Sequence, residues 1–377
     1  MDMSMPARIF GLIIYIVMAL TGCGKGDDTD LSDVTTANPE STLPEVDALM
    51  AEFDRTDVPG AAVVVIKDGA VIHAKGYGLA DLSNDAPSMA ETSYRLASVS
   101  KQFIAMAIAM LEESGRLSYD TTLTELFPGF PSYGRGITVR HLLQHTSGLH
   151  SYESMIPSGQ TTQLSDQDVL RLYRERTGST RFTPGSAYSY SNGGYVLLGL
   201  AVEAVTGQTL GTVLNEFIFA PLGMRSVMYE GESTPIVNRA FGYTRKSNGW
   251  SRTDQSVTSA TRGDGGIYAS VADLFLWDRA LYTENLVSAA TMRKIFTPGR
   301  LNNGASTGYG FGWELGSYRG RTRQSHTGST IGFRTVIHRY PGAAGGTSGF
   351  TVAVLINREG STPWNYATTI ADRLLFP

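Results

Sequence analysis

A single cysteine, Cys23, stands in the 377 residues, so no disulfide can close within the chain, and dithiol redox chemistry or a Cys-based metal site is excluded. Positive charge is not in excess: 31 Lys and Arg face 35 Asp and Glu, a net charge of -4, which argues against an obligate nucleic-acid partner. The apolar run over residues 9–20 is too short to cross a bilayer. No internal repeat occurs. What is present is a globular composition, 42% hydrophobic and 18% charged, long enough for one large domain or two intimately joined ones. With 42 Gly and 18 Tyr, the chain favours many turns and a polar, aromatic cleft over a helical bundle.

Residues 1–23 read as a targeting segment whose short apolar core suits a secretory signal. It ends in Leu20-Thr21-Gly22-Cys23, which resembles the bacterial lipobox, although Asp2 offsets Arg8 ahead of the apolar core. That resemblance implies cleavage before Cys23, lipidation of its thiol, and a bacterial cell-envelope location with the membrane engaged through an N-terminal lipid anchor. Residues 24–43, rich in Asp, Thr and Ser, read as a disordered tether.

The folded part starts near Pro44. A short amphipathic helix is expected over residues 46–54, then a hairpin in which Asp68-Gly69 turns the β-branched run 61–66 into 70–78. Residues 121–260 carry short helices, at 139–145, 167–177, 193–206 and 210–217, and few strand-like runs, which marks a mostly helical insertion domain. Then come a helix at 271–281 capped by Ser270, strands at 310–315, 333–340 and 350–357, and a closing helix at 364–375. Residues 44–120 and 261–377 thus share one sheet built from both parts of the chain. The fold class is α/β (α+β), an antiparallel sheet flanked by helices, with the insertion added.

Three constellations carry chemistry. In Ala97-Ser98-Val99-Ser100-Lys101, Ser98 and Lys101 are one helical turn apart, so an amine lies beside an alcohol. Residues 103–111 are apolar on all sides, which buries this helix, and Gly115 supplies a left-handed stop. The Ser98 amide, at the helix start, is a candidate oxyanion donor. In Tyr190-Ser191-Asn192 the phenol and the carboxamide are two apart and face one cleft. In His326-Thr327-Gly328-Ser329, Gly328 permits close approach to the backbone and the Ser329 N–H is a second candidate oxyanion donor. Other motifs carry less. Gly304-Ala305-Ser306-Thr307-Gly308 lacks the strand before and helix after that a nucleophile elbow needs. His141 and His145 lack the Glu of a zinc-protease helix and read as structural at a helix–loop junction. Arg262 and Asp264 line a cleft or cap a turn.

In this order the three constellations resemble the serine hydrolases of the penicillin-recognising superfamily: class C β-lactamases, D-alanyl-D-alanine carboxypeptidases and related esterases. Residues 94–103, 140–149 and 265–268 also look like the family, and the resemblance runs from about Pro44 onward. It implies a β-lactamase/transpeptidase-like fold and an acyl-enzyme at Ser98, with Lys101 and Tyr190 sharing the proton relay and either able to be the base. Asn192, His326, Thr327 and Ser329 would bind a small-molecule or peptide substrate, with no metal or organic cofactor. His326 stands where class C β-lactamases carry Lys. Near its ordinary pKa an imidazole is only partly charged at neutral pH, which shifts the expectation away from β-lactam hydrolysis. D-alanyl peptide amide bonds or related esters are the expected substrates. A carboxylesterase on the same scaffold and a penicillin-reactive sensor lipoprotein with little turnover are the alternatives.

Overall fold

The strand β1, Ala61–Lys67, is buried at every position but its last. A strand turns successive side chains to opposite faces, so a run apolar throughout has to be covered on both. Val63 and Val65 pack with Val46, Met50, Ile370 and Ala371 on one side. Val64 and Ile66 join the larger core, with Phe103, Ile104 and Ile108, on the other. Each such side chain contributes about 1.5–3 kcal/mol by leaving water.

The computed structural model describes residues 42–342 and 349–376. Contacts divide the chain between Asp30 and Leu31, and all described residues belong to the second unit. The expected signal segment and Cys23 lie outside the described residues, as does the tether up to residue 41.

With β1 come β2 (Ala70–Tyr77), β3 (Glu314–Tyr318), β4 (Arg321–Thr330), β5 (Phe333–Pro341) and β6 (Gly349–Ile356). They form one sheet in the order β3-β4-β5-β6-β1-β2, each neighbour antiparallel. The β1–β2 turn is the expected Asp-Gly pair, with φ of 51° at Asp68 and 81° at Gly69, the positive values a tight hairpin requires. The main helices are α1 (Pro44–Met50), α2 (Lys101–Glu113), α3 (Asp166–Glu175), α4 (Asn192–Thr206), α5 (Val271–Ala280) and α6 (Pro363–Leu374). Residues of α1 and α6 cover one face, and those of α2, α4 and α5 share the core on the other. The antiparallel sheet flanked by helices is as expected.

Helix α2 is enclosed, with residues 101–109 all buried. The Phe103 ring lies 4.3 Å from that of Trp277, whose indole N–H donates to Gln102 Oε1 at 2.9 Å, so the carbonyl of this buried amide is matched. Beyond its end, Gly115 takes the left-handed φ of 71°. A buried ion pair ties α5 to the sheet: Arg339 Nε donates to Asp278 Oδ1 at 2.5 Å, and Thr351 donates to the same oxygen at 2.8 Å.

One local expectation is corrected. Residues 310–313 are a turn, and the strand begins at Glu314, because Gly312 takes φ 77° and lies against the first turn of α2, where a Cβ would come within 2.8 Å of Lys101 O. The stretch 121–260 includes a hairpin, Tyr243–Lys246 with Gly249–Arg252, and a short strand, Val227–Met228, that pairs with Ile267–Ala269.

Candidate active site

Ser98 lies on the 3-10 turn Ala97–Ser100 that runs into α2. The residue before it, Ala97, has φ 48°, a left-handed conformation costly for a residue with a Cβ. The surroundings enforce it. Leu96 N–H donates to Ile267 O at 2.8 Å, and Leu96 O accepts from Thr335 Oγ1 at 2.8 Å. Gly328 on β4 sits so close that a Cβ would lie 2.2 Å from Leu96 O and 2.1 Å from Thr335 Oγ1. The glycine of His326-Thr327-Gly328 therefore makes room for the Ser98 turn itself. From the other side, a Cβ on Gly265 would lie 3.3 Å from Ala97. The second serine of the segment, Ser100, is fully buried and its Oγ accepts from Ile267 N–H at 3.2 Å, which leaves Ser98 as the nucleophile candidate.

Lys101 is fully buried, and its Nζ has three partners: Ser98 Oγ at 3.0 Å, Asn192 Oδ1 at 3.0 Å and the carbonyl oxygen of Asp264 at 2.6 Å. Burial pushes its pKa down to about 8, against the opposing charges of Asp264 and Glu153. This triad of partners has a chemical consequence. A neutral amine has two N–H bonds and one lone pair, and two of the three partners are oxygens that only accept. Once Lys101 loses a proton, its N–H bonds go to Asn192 and Asp264, and the lone pair is left for the Ser98 hydroxyl, the one partner able to donate. The Asn192 amide is oriented by Glu153, whose Oε1 accepts from Nδ2 at 2.8 Å.

Tyr190 stands near enough to Ser98 for that hydroxyl to oppose the rise in its pKa, and Lys101 Nζ lies 5.1 Å from its ring centroid. Burial raises its pKa above the ordinary phenol value, although the residue as a whole is 41% exposed. Environment thus pushes the two relay groups apart in role: the amine can be neutral near pH 8 while the phenol keeps its proton. Ser329 lines the same cleft of ≈ 90 Å³ as Ser98, together with Arg95, Tyr152, Glu153, Asn192 and Asp264. Thr327 is half-buried one residue from the glycine and does not line it.

His326 departs from its expected electrostatics. It is 1% exposed, and burial, then the nearby Lys101 charge, lowers its pKa to about 3. Its Nδ1 is 2.7 Å from the carbonyl oxygen of Thr327, an acceptor only, so Nδ1 carries the proton and Nε2 accepts from the Tyr309 hydroxyl at 2.9 Å. The imidazole is neutral, where partial charge was expected, and both nitrogens are engaged.

Of two carboxylates here, sequence reasoning passed over Glu153 and left Asp264 open between lining a cleft and capping a turn. Glu153, on the turn Tyr152–Met155, and Asp264, beside the glycine pair 265–266, both flank Lys101. Asp264 is buried, which raises its pKa, and its Oδ2 accepts from Tyr152 at 3.1 Å. Its position next to Gly265-Gly266 was the available signal, whereas nothing in the sequence around Glu153 marks it. The other motifs lie apart: His141 caps its own helix through Thr138, and Ser306 is exposed, accepting from Gly308 N–H at 3.2 Å. Among the described residues, no group of three or more His, Cys, Asp or Glu is placed to hold a metal ion, and no single helix is long and apolar enough to cross a membrane.

A Ser–Lys pair at the head of a buried helix, with a tyrosine against it and an antiparallel strand closing the cleft, is the arrangement of the penicillin-recognising serine hydrolases. The chain belongs to the Beta-lactamase family, whose profile matches residues 46–375. It is 32% identical over 330 residues to "Penicillin-binding protein 4*" of Bacillus subtilis, covering 83% of this chain and 72% of that protein. To the "D-aminopeptidase" of Brucella anthropi it is 32% identical over 288 residues, 73% of this chain and 52%, about half, of that relative. Among solved structures, the octameric penicillin-binding protein homologue from Pyrococcus abyssi has a TM-score of 0.75 at 29% identity, over 88% of this chain and 77% of that one. The D-amino acid amidase from Ochrobactrum anthropi SV3 shares the fold, with a TM-score of 0.71 at 23% identity over 89% of this chain and 98% of that one. The protein is thus a beta-lactamase-fold serine hydrolase related to penicillin-binding proteins and D-aminopeptidases.

Proposed function

We propose that this hydrolase cleaves amide bonds next to a small D-amino acid whose amino group is free, as a D-aminopeptidase or D-amino acid amidase. The observation that carries this reading is the polarity of the cleft: Glu153 and Asp264 place carboxylates beside Lys101, whereas His326 is neutral. A substrate ammonium finds opposite charge there, and a terminal carboxylate finds no fixed cation at His326. Cleft volume, ≈ 90 Å³, suits a small acyl group. The names of the relatives point the same way.

In this mechanism Ser98 Oγ attacks the carbonyl carbon while its proton passes to the Lys101 lone pair. The oxyanion forms against the N–H groups of Ser98 and Ser329. Tyr190, still protonated, donates to the leaving nitrogen, and Lys101 returns the proton to Tyr190. The C–N bond breaks, the amine departs, and water resolves the acyl-enzyme by the reverse relay. Export and lipid anchoring at Cys23 belong to the same proposal, checked by metabolic palmitate labelling of the wild type and Cys23→Ala.

The test compares D-alanine p-nitroanilide, its L form, its N-acetylated form and a benzylpenicillin. The free D compound should be turned over at least about 10-fold faster than the acetylated one, since a buried charge pair is worth several kcal/mol, and Ser98→Ala should abolish all turnover. Preference for an N-acylated D-alanyl-D-alanine peptide would overturn the reading in favour of a carboxypeptidase, and a stoichiometric penicillin burst without turnover of any amide would indicate a sensor.

A further inference from the structure

His145 ends the helix Val139–Leu143 and has no place in the relay described above. It is nevertheless completely buried, at φ 58°, in the left-handed region that favours Gly, Asn, Asp and His. That conformation aims its backbone carbonyl and its side chain at the same neighbouring segment. The carbonyl oxygen accepts from Ser189 N–H at 2.8 Å, and Nδ1 accepts from Ser191 N–H at 3.1 Å. Between those residues stands Tyr190, whose ring centroid is 4.2 Å from the imidazole. One residue thus holds the backbone N–H of the residue on either side of Tyr190 and supports the face of its ring.

The tautomer follows. A backbone N–H can only donate, so Nδ1 presents its lone pair and the proton is on Nε2. Nε2 is buried with no hydrogen-bond partner, enclosed by the rings of Tyr190, Tyr195 and Tyr309 at 4.2, 5.1 and 4.6 Å. An orphaned buried donor is costly, and a phenylalanine at this position would avoid that cost. The pattern makes sense if the acceptor at Nδ1 is what the position requires. Protonation would destroy that acceptor, and burial together with the charge of Lys101 opposes it, holding the pKa well below the ordinary histidine value.

We propose that His145 is a positioning residue for the acylation step, fixing the Tyr190 hydroxyl on Ser98 through the peptide groups of Ser189 and Ser191. The inference rests on the relay proposed for Ser98, Lys101 and Tyr190. The left-handed backbone itself closes the helix, with His145 N–H donating to Leu142 O at 3.3 Å and Thr146 N–H to His141 O at 2.8 Å; the helix end does not require an imidazole there with Nδ1 on Ser191.

Two substitutions separate the parts. His145→Phe keeps a flat ring and loses the acceptor. His145→Asn loses the ring but tolerates the left-handed backbone and places an oxygen where Nδ1 stands. In the full chain with D-alanine p-nitroanilide, His145→Phe should lower kcat about 10–100-fold with KM little changed, the usual penalty for a misplaced relay group. His145→Asn should recover most of that loss. Because the effect runs through Tyr190, His145→Phe should cost nothing further on a Tyr190→Phe background, read as the rate of Ser98 labelling by a fluorophosphonate. A folded His145→Phe protein with wild-type kcat, or losses that multiply in the double variant, would overturn the inference. If His145→Phe does not fold, the same cycle run with His145→Asn decides: its residual loss should vanish on the Tyr190→Phe background, and multiplication again overturns the inference. Failure of the underlying reading looks different, because Ser98→Ala and Tyr190→Phe would then themselves leave turnover intact.

Discussion

At the residue scale, the pH behaviour of Lys101 separates the two relay groups. Its pKa is lowered by burial to about 8, whereas that of Tyr190 is raised, so activity should rise with pH through an apparent pKa near 8 as the Lys101 lone pair is freed, with no limb from Tyr190 deprotonation below it. The sign is fixed by the direction of the shift: a proton that leaves earlier than in water exposes the base at lower pH. A kcat/KM profile from pH 5.5 to 9.5 checks this, and a falling profile over pH 7–9 would assign the base elsewhere. Lys101→Arg, which cannot deprotonate in this range, should be inactive at every pH tested. Ser98, Lys101, Tyr190 and Asn192 were readable in the sequence because their relations are local, one helical turn or two residues apart. The charge of His326 was not, because its neutrality comes from burial and from the Lys101 charge, which only the fold brings near. Glu153 was unreadable for the same reason, since only the fold carries it to Asn192.

The elements around Ser98 make their own prediction. The turn is gripped by two glycines from remote segments, and at Gly328 the room for a side chain is occupied by backbone and by Thr335. Gly328→Ala should displace the turn or the strand by about an ångström, lowering fluorophosphonate labelling of Ser98 by about 10-fold or more. Destabilisation of about 1–3 kcal/mol should accompany it, from overpacking. Labelling at the wild-type rate would mean that the turn moves freely. Strands β1 and β6 were legible from β-branched runs, because burial on both faces leaves an unbroken apolar signature, and β2 was legible from the Asp68-Gly69 turn ahead of it. The hairpin over residues 243–252 was missed although Asn248-Gly249 marks its turn, because its strands are short and largely polar. Residues 310–313 deceived by their aromatic alternation. Gly312 is there to let the chain approach α2, which periodicity alone does not reveal.

Across the whole molecule, stability and catalysis are carried by different groups. The Arg339–Asp278 pair joins β5 to α5, with side chains 1% and 3% exposed, and Thr351 and Gln324 complete its hydrogen bonds. Asp278→Ala would strand a buried guanidinium, and denaturant unfolding should register a loss of about 3–5 kcal/mol, while Ser98 labelling of the folded fraction stays unchanged. Labelling that fell with stability would mean that the pair also sets the site. The sheet itself has a further consequence for how the protein is made. β1 is flanked by β6, so residues 61–67 find one neighbour immediately and wait for the other until residues 349–356 have been synthesised. A growing chain therefore keeps this apolar strand half-covered until residues 349–356 have emerged, a natural point of engagement for holdase chaperones.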